Sequence, residues 1–271
     1  MNVDLGDDDT VPTANEGILT ELLVAAPMLT VTAWGAATTP GRRRLPNEDA
    51  WGQAAGTFVA DGLGGRGGGA MAARLAIDRF LARLRAAPGH PDWRAIVHAV
   101  NGDVITAGDD EGWQRVGTTL LVASVAGSVV TVVHVGDSRA YRLASVATAG
   151  APRLHVLTHD HTVRAELLAA GLDVGEYRQR GVALHGLTSF IGLEPAWLRV
   201  DVVAVPMRAG ERLLLCTDGV HRHLPGDQLR DAVRAPDCGD AAERLVGAAD
   251  RAGGRDNATA LVVDIGTGGA P

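Results

Sequence analysis

From Leu29 onward, apolar and β-branched residues gather into short runs bounded by glycine, proline and small polar residues: LTVTAWG, GTFVAD, TLLVASVA, SVVTVVHVG, LRVDVVAVP, ERLLLCTD and ATALVVDI. Runs of that length and composition predict buried strands. Only the AGS of residues 126–128 separates the third run from the fourth, which is short enough to close an antiparallel hairpin. Elsewhere the period lengthens. Ala73, Ile77, Phe80, Leu81 and Leu84 follow a helical stripe, as do Trp93, Ile96, Val97, Val100 and Val104, with Pro91 and Asp92 marking the second helix's start. Ala242, Leu245, Val246 and Ala249 form a third stripe, opened by Asp240. Strand runs broken by helix pairs predict an α+β layered domain rather than a doubly wound parallel sheet. The pattern is continuous over residues 29–266, read here as one domain, with an acidic, disordered tail at 1–28 and a short C-terminal tail at 267–271.

Composition narrows the chemistry. With 46% hydrophobic residues in 271, the chain can bury a sizeable core. All 25 basic residues other than histidine are arginine, so a Walker-type loop, a kinase phosphate-binding lysine and a Schiff-base lysine are excluded. A formal charge of -7 argues against nucleic acid and suits divalent cations. Cys216 and Cys238 are too few for a disulfide framework or a four-cysteine zinc site, and Cys216, inside LLLCT, reads as a reduced core residue. Without a membrane-spanning run or an apolar leader, the expectation is a cytoplasmic, monomeric enzyme with no membrane partner.

Four aspartates share a context, each following an apolar run and preceding glycine or a small polar residue: Asp61 in FVADGLGG, Asp137 in VHVGDSR, Asp218 in LLLCTDGV and Asp256 in GGRDNAT. Singly, such an aspartate is usually a turn residue. Four carboxylates at strand mouths repel one another unless a cation lies among them, and an all-oxygen set selects magnesium or manganese. Glu48 and Asp49 add an acidic pair just after Arg42, Arg43 and Arg44, and arginine beside cations points to phosphoryl chemistry.

In their order along the chain, RLPNEDA, VADGLGG, VGTTL, HVGDSRAYRL, LTHDH, LTSFIG, LLLCTDG and GGRDNATALVV resemble the metal-dependent protein phosphatases, the type 2C serine/threonine family. The resemblance implies a four-layer αββα sandwich of two antiparallel sheets flanked by helices, with metals in a cleft at one end of the sheets. It implies hydrolysis of phosphoserine and phosphothreonine in proteins by a water activated between two Mn2+ or Mg2+ ions. The substrates would be phosphorylated proteins, targets of a eukaryotic-type Ser/Thr kinase. Carried over, Asp61 bridges the metals with the Gly62 carbonyl on one of them, and Asp218 and Asp256 hold the other. Asp49 joins the metal network, with Glu48 as the alternative. Asp137 helps hold a weaker third metal, and Arg44 binds the substrate phosphate. Residues 161–187 fall where the family has a mobile flap. The histidines that some relatives carry in the DG loop are here Leu63 and Arg66, neither able to give up a proton, which leaves His161, His185 or His221 as replacements.

Two other readings compete. Gly136-Asp137-Ser138, with Asp218 and His221, matches the parts of a GDS-type serine esterase. A catalytically inactive, phosphoprotein-binding regulator of the same fold is the second, and it expects a bridging carboxylate to be missing.

Overall fold

The computed structural model describes residues 28–54, 57–63, 68–87, 91–113, 116–144 and 153–268. The expected tail, apart from Met28, lies outside them, as do Gly64, Gly65 and Arg66. In chain order the elements are β1 (Leu29–Thr39), β2 (Asp49–Gln53), β3 (Thr57–Leu63), α1 (Gly68–Ala86), α2 (Trp93–Asp110), β4 (Gly117–Thr118), β5 (Leu120–Ala126), β6 (Val129–Val135), β7 (Arg139–Leu143) and β8 (Leu154–Val156). There follow α3 (Val163–Ala169), α4 (Val174–Gln179), β9 (Asp201–Pro206), β10 (Arg212–Cys216), α5 (Asp218–His221), α6 (Gly226–Val233), α7 (Cys238–Arg251) and β11 (Ala258–Thr267).

The strands form two antiparallel sheets, one ordered β1-β11-β10-β7-β8 and the other β2-β3-β5-β6-β9 with β4 beside β3. Period-two alternation gives each sheet two apolar faces. The inner faces meet through Val59, Leu121, Val130 and Val132 on one side and Leu213, Leu215, Leu261 and Val263 on the other, all essentially without exposure. On the outer faces, Val122, Val133 and Val135 pack against Ile77 and Phe80 of α1 and Val97 and Val100 of α2. Leu214, Val262 and Cys216 pack against Leu245 and Val246 of α7 and Leu229 of α6. The four-layer sandwich is therefore present, and each fully buried leucine or valine adds about 1.5–3 kcal/mol of transfer free energy.

The hairpin at residues 126–128 is closed as expected, with Gly127 at φ +62°. Asp92 caps α2 by accepting from the Ala95 amide at 3.0 Å. The third predicted helix starts earlier than expected: Asp237, not Asp240, is its cap, accepting from Gly239 and Asp240 amides at 2.7 and 3.1 Å. Apolar periodicity locates a buried stripe but cannot locate the turn of helix before it. Residues 139–143 and 154–156, not expected as strands, join the end of the first sheet, where RAYRL pairs with the far more apolar β10. Residues 161–187 carry α3 and α4. No helix among the described residues is long and apolar enough to cross a membrane.

Candidate active site

One end of both sheets gathers the acidic residues. Asp61 lies near the end of β3 and is the direct cross-strand partner of Asp49 at the start of β2. Directly opposed residues share a sheet face, so both carboxylates point into the space between the sheets, continuing the row of Val59. From the other sheet, Thr217 and Thr259 donate to Asp49 Oδ2 at 2.9 and 2.7 Å. Thr217 precedes α5 but makes no side-chain cap, because its hydroxyl is committed to Asp49. Asp49 Oδ1, fully buried, has no hydrogen-bond donor.

Asp137 follows β6 after Gly136, whose φ of +110° favours glycine. His161 clamps this glycine from both sides: the His161 amide donates to the Gly136 carbonyl at 2.7 Å, and the Gly136 amide donates to His161 Nδ1 at 3.2 Å. A neutral ring that accepts at Nδ1 carries its proton on Nε2, directed at Asp201 Oδ2, 3.1 Å away. His134, His161 and Asp201 are a group of three whose ligand atoms lie within 4.8 Å of one another. That tautomer leaves His161 without a lone pair for a metal, and the group stands behind the cleft, bracing the loop that bears Asp137.

The cleft itself encloses about 240 Å³ and is lined by Arg44, Glu48, Asp61, Gly62, Asp137, Asp218 and Asp256, together with Leu63, Thr119, His185, Leu187, Arg222 and Asn257. Every metal or phosphate candidate put forward from sequence lines it except Asp49, the cross-strand partner of Asp61; Glu48, the alternative to Asp49, lines it although largely buried. A larger hollow of about 610 Å³ lies elsewhere, beside Arg212 and Asp264, whose charges already pair with each other at 2.6 Å. Close packing shapes the cleft floor: a Cβ on Gly62 would lie 2.2 Å from the Gly69 carbonyl at the start of α1.

Burial and mutual repulsion dominate the electrostatics. Burial, then the charges of Asp49, Asp218 and Asp137, holds the Asp61 carboxyl well above the usual carboxylate range. Burial raises Asp49 to about 7 despite its two threonine donors. Asp137 is likewise pushed to about 7 by burial and Asp218, against the opposing effect of Arg222. An orphaned oxygen among carboxylates that cannot all ionise is a site short of positive charge, and its all-oxygen donors suit a hard divalent cation.

Several working residues escaped the sequence reading. Asn257 donates to the carbonyls of Pro40 and Pro46 at 3.0 and 3.1 Å and accepts from the Glu48 amide at 2.9 Å, fixing the loop that carries Arg44. Its place after Asp256 in GGRDNAT was the available signal. Arg222 bridges Asp137 and Asp218. Arg44 pairs with Asp256 at 3.1 Å.

The esterase geometry does not form. Ser138 is fully buried, its hydroxyl 2.9 Å from Thr119 Oγ1, and His221 Nε2 meets the Asp137 carbonyl at 2.9 Å instead of the serine. Thr119 Oγ1 also accepts from the Asp61 amide at 2.9 Å, so Ser138 serves as a strut behind Asp61. Ser138→Ala is expected to keep kcat/KM for a phosphopeptide within about tenfold, or ~1.4 kcal/mol. Loss of several orders of magnitude would restore the esterase. The carboxylates whose absence would mark an inactive regulator are all present.

Residues 39–252 match the profile of the family described as Protein phosphatase 2C. The chain is 30% identical over 247 residues to the serine/threonine phosphatase stp of Listeria monocytogenes, spanning 84% of this chain and 93% of that protein. It is similar to the solved structure of the PPM Ser-Thr phosphatase MsPP from Mycobacterium smegmatis in complex with cacodylate, at 32% identity and a TM-score of 0.74, over 87% of this chain and 99% of that one. The catalytic domain of the serine/threonine protein phosphatase PstP, in complex with two manganese ions, aligns with a TM-score of 0.73 at 30% identity, over 88% and 98% of the two chains. With the sandwich, the carboxylate cluster and these likenesses agreeing over most of its length, the chain belongs to the protein phosphatase 2C family.

Proposed function

We propose that the cleft hydrolyses phosphoserine and phosphothreonine in proteins, using two Mn2+ or Mg2+ ions held by Asp61, the Gly62 carbonyl, Asp218 and Asp256, with Asp49 and Glu48 as outer partners. The observation that carries this reading is the cluster of Asp61, Asp137 and Asp218, with Asp49 behind Asp61, opening onto the same cleft as Arg44. When bound, the cations supply the Lewis acidity that makes a water nucleophilic at neutral pH. The Thr119 hydroxyl holds the Asp61 backbone by accepting from its amide, and Asp49 backs Asp61 from between the sheets. Arg44 pairs with Asp256 at the cleft, and its guanidinium would be free to bind the substrate phosphate if Asp256 held a cation. The substrates we assign are phosphoproteins made by a eukaryotic-type Ser/Thr kinase in the cytoplasm, with the chain acting as a monomer. The test is phosphate release from a phosphothreonine peptide, which should require Mn2+, stop on chelation and ignore a serine-directed fluorophosphonate. Metal-independent turnover would overturn the reading.

Proton donation to the leaving alcohol is the weak step. Leu63 lines the cleft and has no proton to give, and His161 and His221 are buried and engaged. Of the three histidines considered as replacements, His185 alone reaches the cleft, and burial together with Arg222 and Arg164 lowers its pKa, which disfavours the protonated form an acid needs. General acids contribute about 10²–10⁴-fold, so kcat/KM for p-nitrophenyl phosphate, whose phenolate leaves unaided, should exceed that for a phosphothreonine peptide. His185→Ala should leave the ratio unchanged and Arg66→His should narrow it. A selective ~10²-fold loss on the peptide in His185→Ala would make His185 the acid.

A further inference from the structure

The assigned metal site leaves one carboxylate without a cation among the two sites, and the structure supplies it from the chain. Arg222 lies one helical turn beyond Asp218, so the spacing i, i+4 returns its guanidinium to that carboxylate, with Nη1 2.6 Å from Asp218 Oδ2. Its second terminal nitrogen, Nη2, bonds Asp137 Oδ2 across the cleft. Asp137 and Asp218 are nearly shielded from solvent, with side chains 6% and 14% exposed, and Arg222 is 28% exposed. The guanidinium stays charged at any working pH and occupies the space between the two oxygens.

Resting on the binuclear reading above, we propose that Arg222 is the resident cation between Asp137 and Asp218, taking the place of the weaker third metal that Asp137 would otherwise help hold. A divalent ion entering there must displace a fixed positive charge from both of its ligands. Two consequences follow. The cluster carries a third positive charge at every metal concentration, and the aspartate of the GDS block serves the arginine rather than a metal.

Counting Mn2+ bound per chain by electron paramagnetic resonance and isothermal titration tests this without reference to turnover. The parent should bind two ions and no third up to about 10 mM, while Arg222→Ala and Arg222→Gln should gain a third with a dissociation constant on the order of 1 mM, the range of weakly charged oxygen sites. Arg222→Lys, which keeps the charge, should stay at two, and Asp137→Asn in the Arg222→Gln background should lose the gained ion. The glutamine variant retains hydrogen-bonding capacity, so the count remains readable if alanine prevents folding. A third ion on the parent, or none gained by either neutral variant, overturns the proposal. Fewer than two ions on the parent overturns instead the binuclear reading beneath it.

Discussion

Asp61→Asn is expected to abolish phosphatase turnover while leaving the fold intact, and Asp218→Asn to do the same. A single preorganised electrostatic contact at a reacting centre is worth about 10²–10³-fold, and Asp61 is assigned to both cations, so a loss of at least ~10³-fold should be measured in kcat/KM with saturating Mn2+. The stability change has the opposite character. Asp61 is buried against Asp49, Asp218 and Asp137, each of which disfavours its ionisation. Replacing it with a neutral amide relieves that repulsion, so the metal-free melting temperature should hold or rise, while the gain in melting temperature on adding Mn2+ shrinks. A variant that keeps most of its activity with Mn2+ would show the bridging position to be wrongly assigned. A variant that unfolds would show that Asp61 is chiefly structural.

A second large effect concerns pH in the absence of metal. Asp49 and Asp137 are raised to about 7, and Asp61 is held well above the usual carboxylate range by burial and by its acidic neighbours. Each therefore binds a proton more readily folded than unfolded. The stability this contributes is complete below about pH 4, the unfolded value, and is lost as pH rises through about 7. In chelator, the melting temperature should fall between pH 5.5 and 8. Cations compete with those protons, so apparent Mn2+ affinity should climb over the same window, by about tenfold per pH unit for each proton displaced. Calorimetric scans with chelator and with Mn2+ should thus diverge as pH rises. Parallel curves would mean that the cluster is not where the metal binds.

The candidate site was legible in the sequence to the extent that its members sit in local patterns. Asp61, Asp137, Asp218 and Asp256 each stand at a strand end, and strand ends are visible as apolar runs meeting glycine. Asp49 and Glu48 were indistinguishable as neighbours. The start of β2 separates them: Asp49, its first residue, turns between the sheets to Thr217 and Thr259, while Glu48, just before the strand, meets the cleft beside α1. His161, weighed as a proton donor, is instead the clamp on Gly136, because a contact between residues 25 apart leaves no local trace.

What the sequence by itself determined was the set of buried stripes, the layered α+β class and the strand-end carboxylates, since these follow from periods of 2 and 3.6 and from turn chemistry acting over a few residues. Tertiary structure decided which charges meet. Asn257 reaches back across 217 positions to hold the loop of Arg44, Arg222 closes on Asp137 from 85 positions away, and two threonines from one sheet bind an aspartate of the other. Such contacts depend on how the two sheets stack and on the register of each strand, and both are settled by packing over the whole core rather than by any one segment.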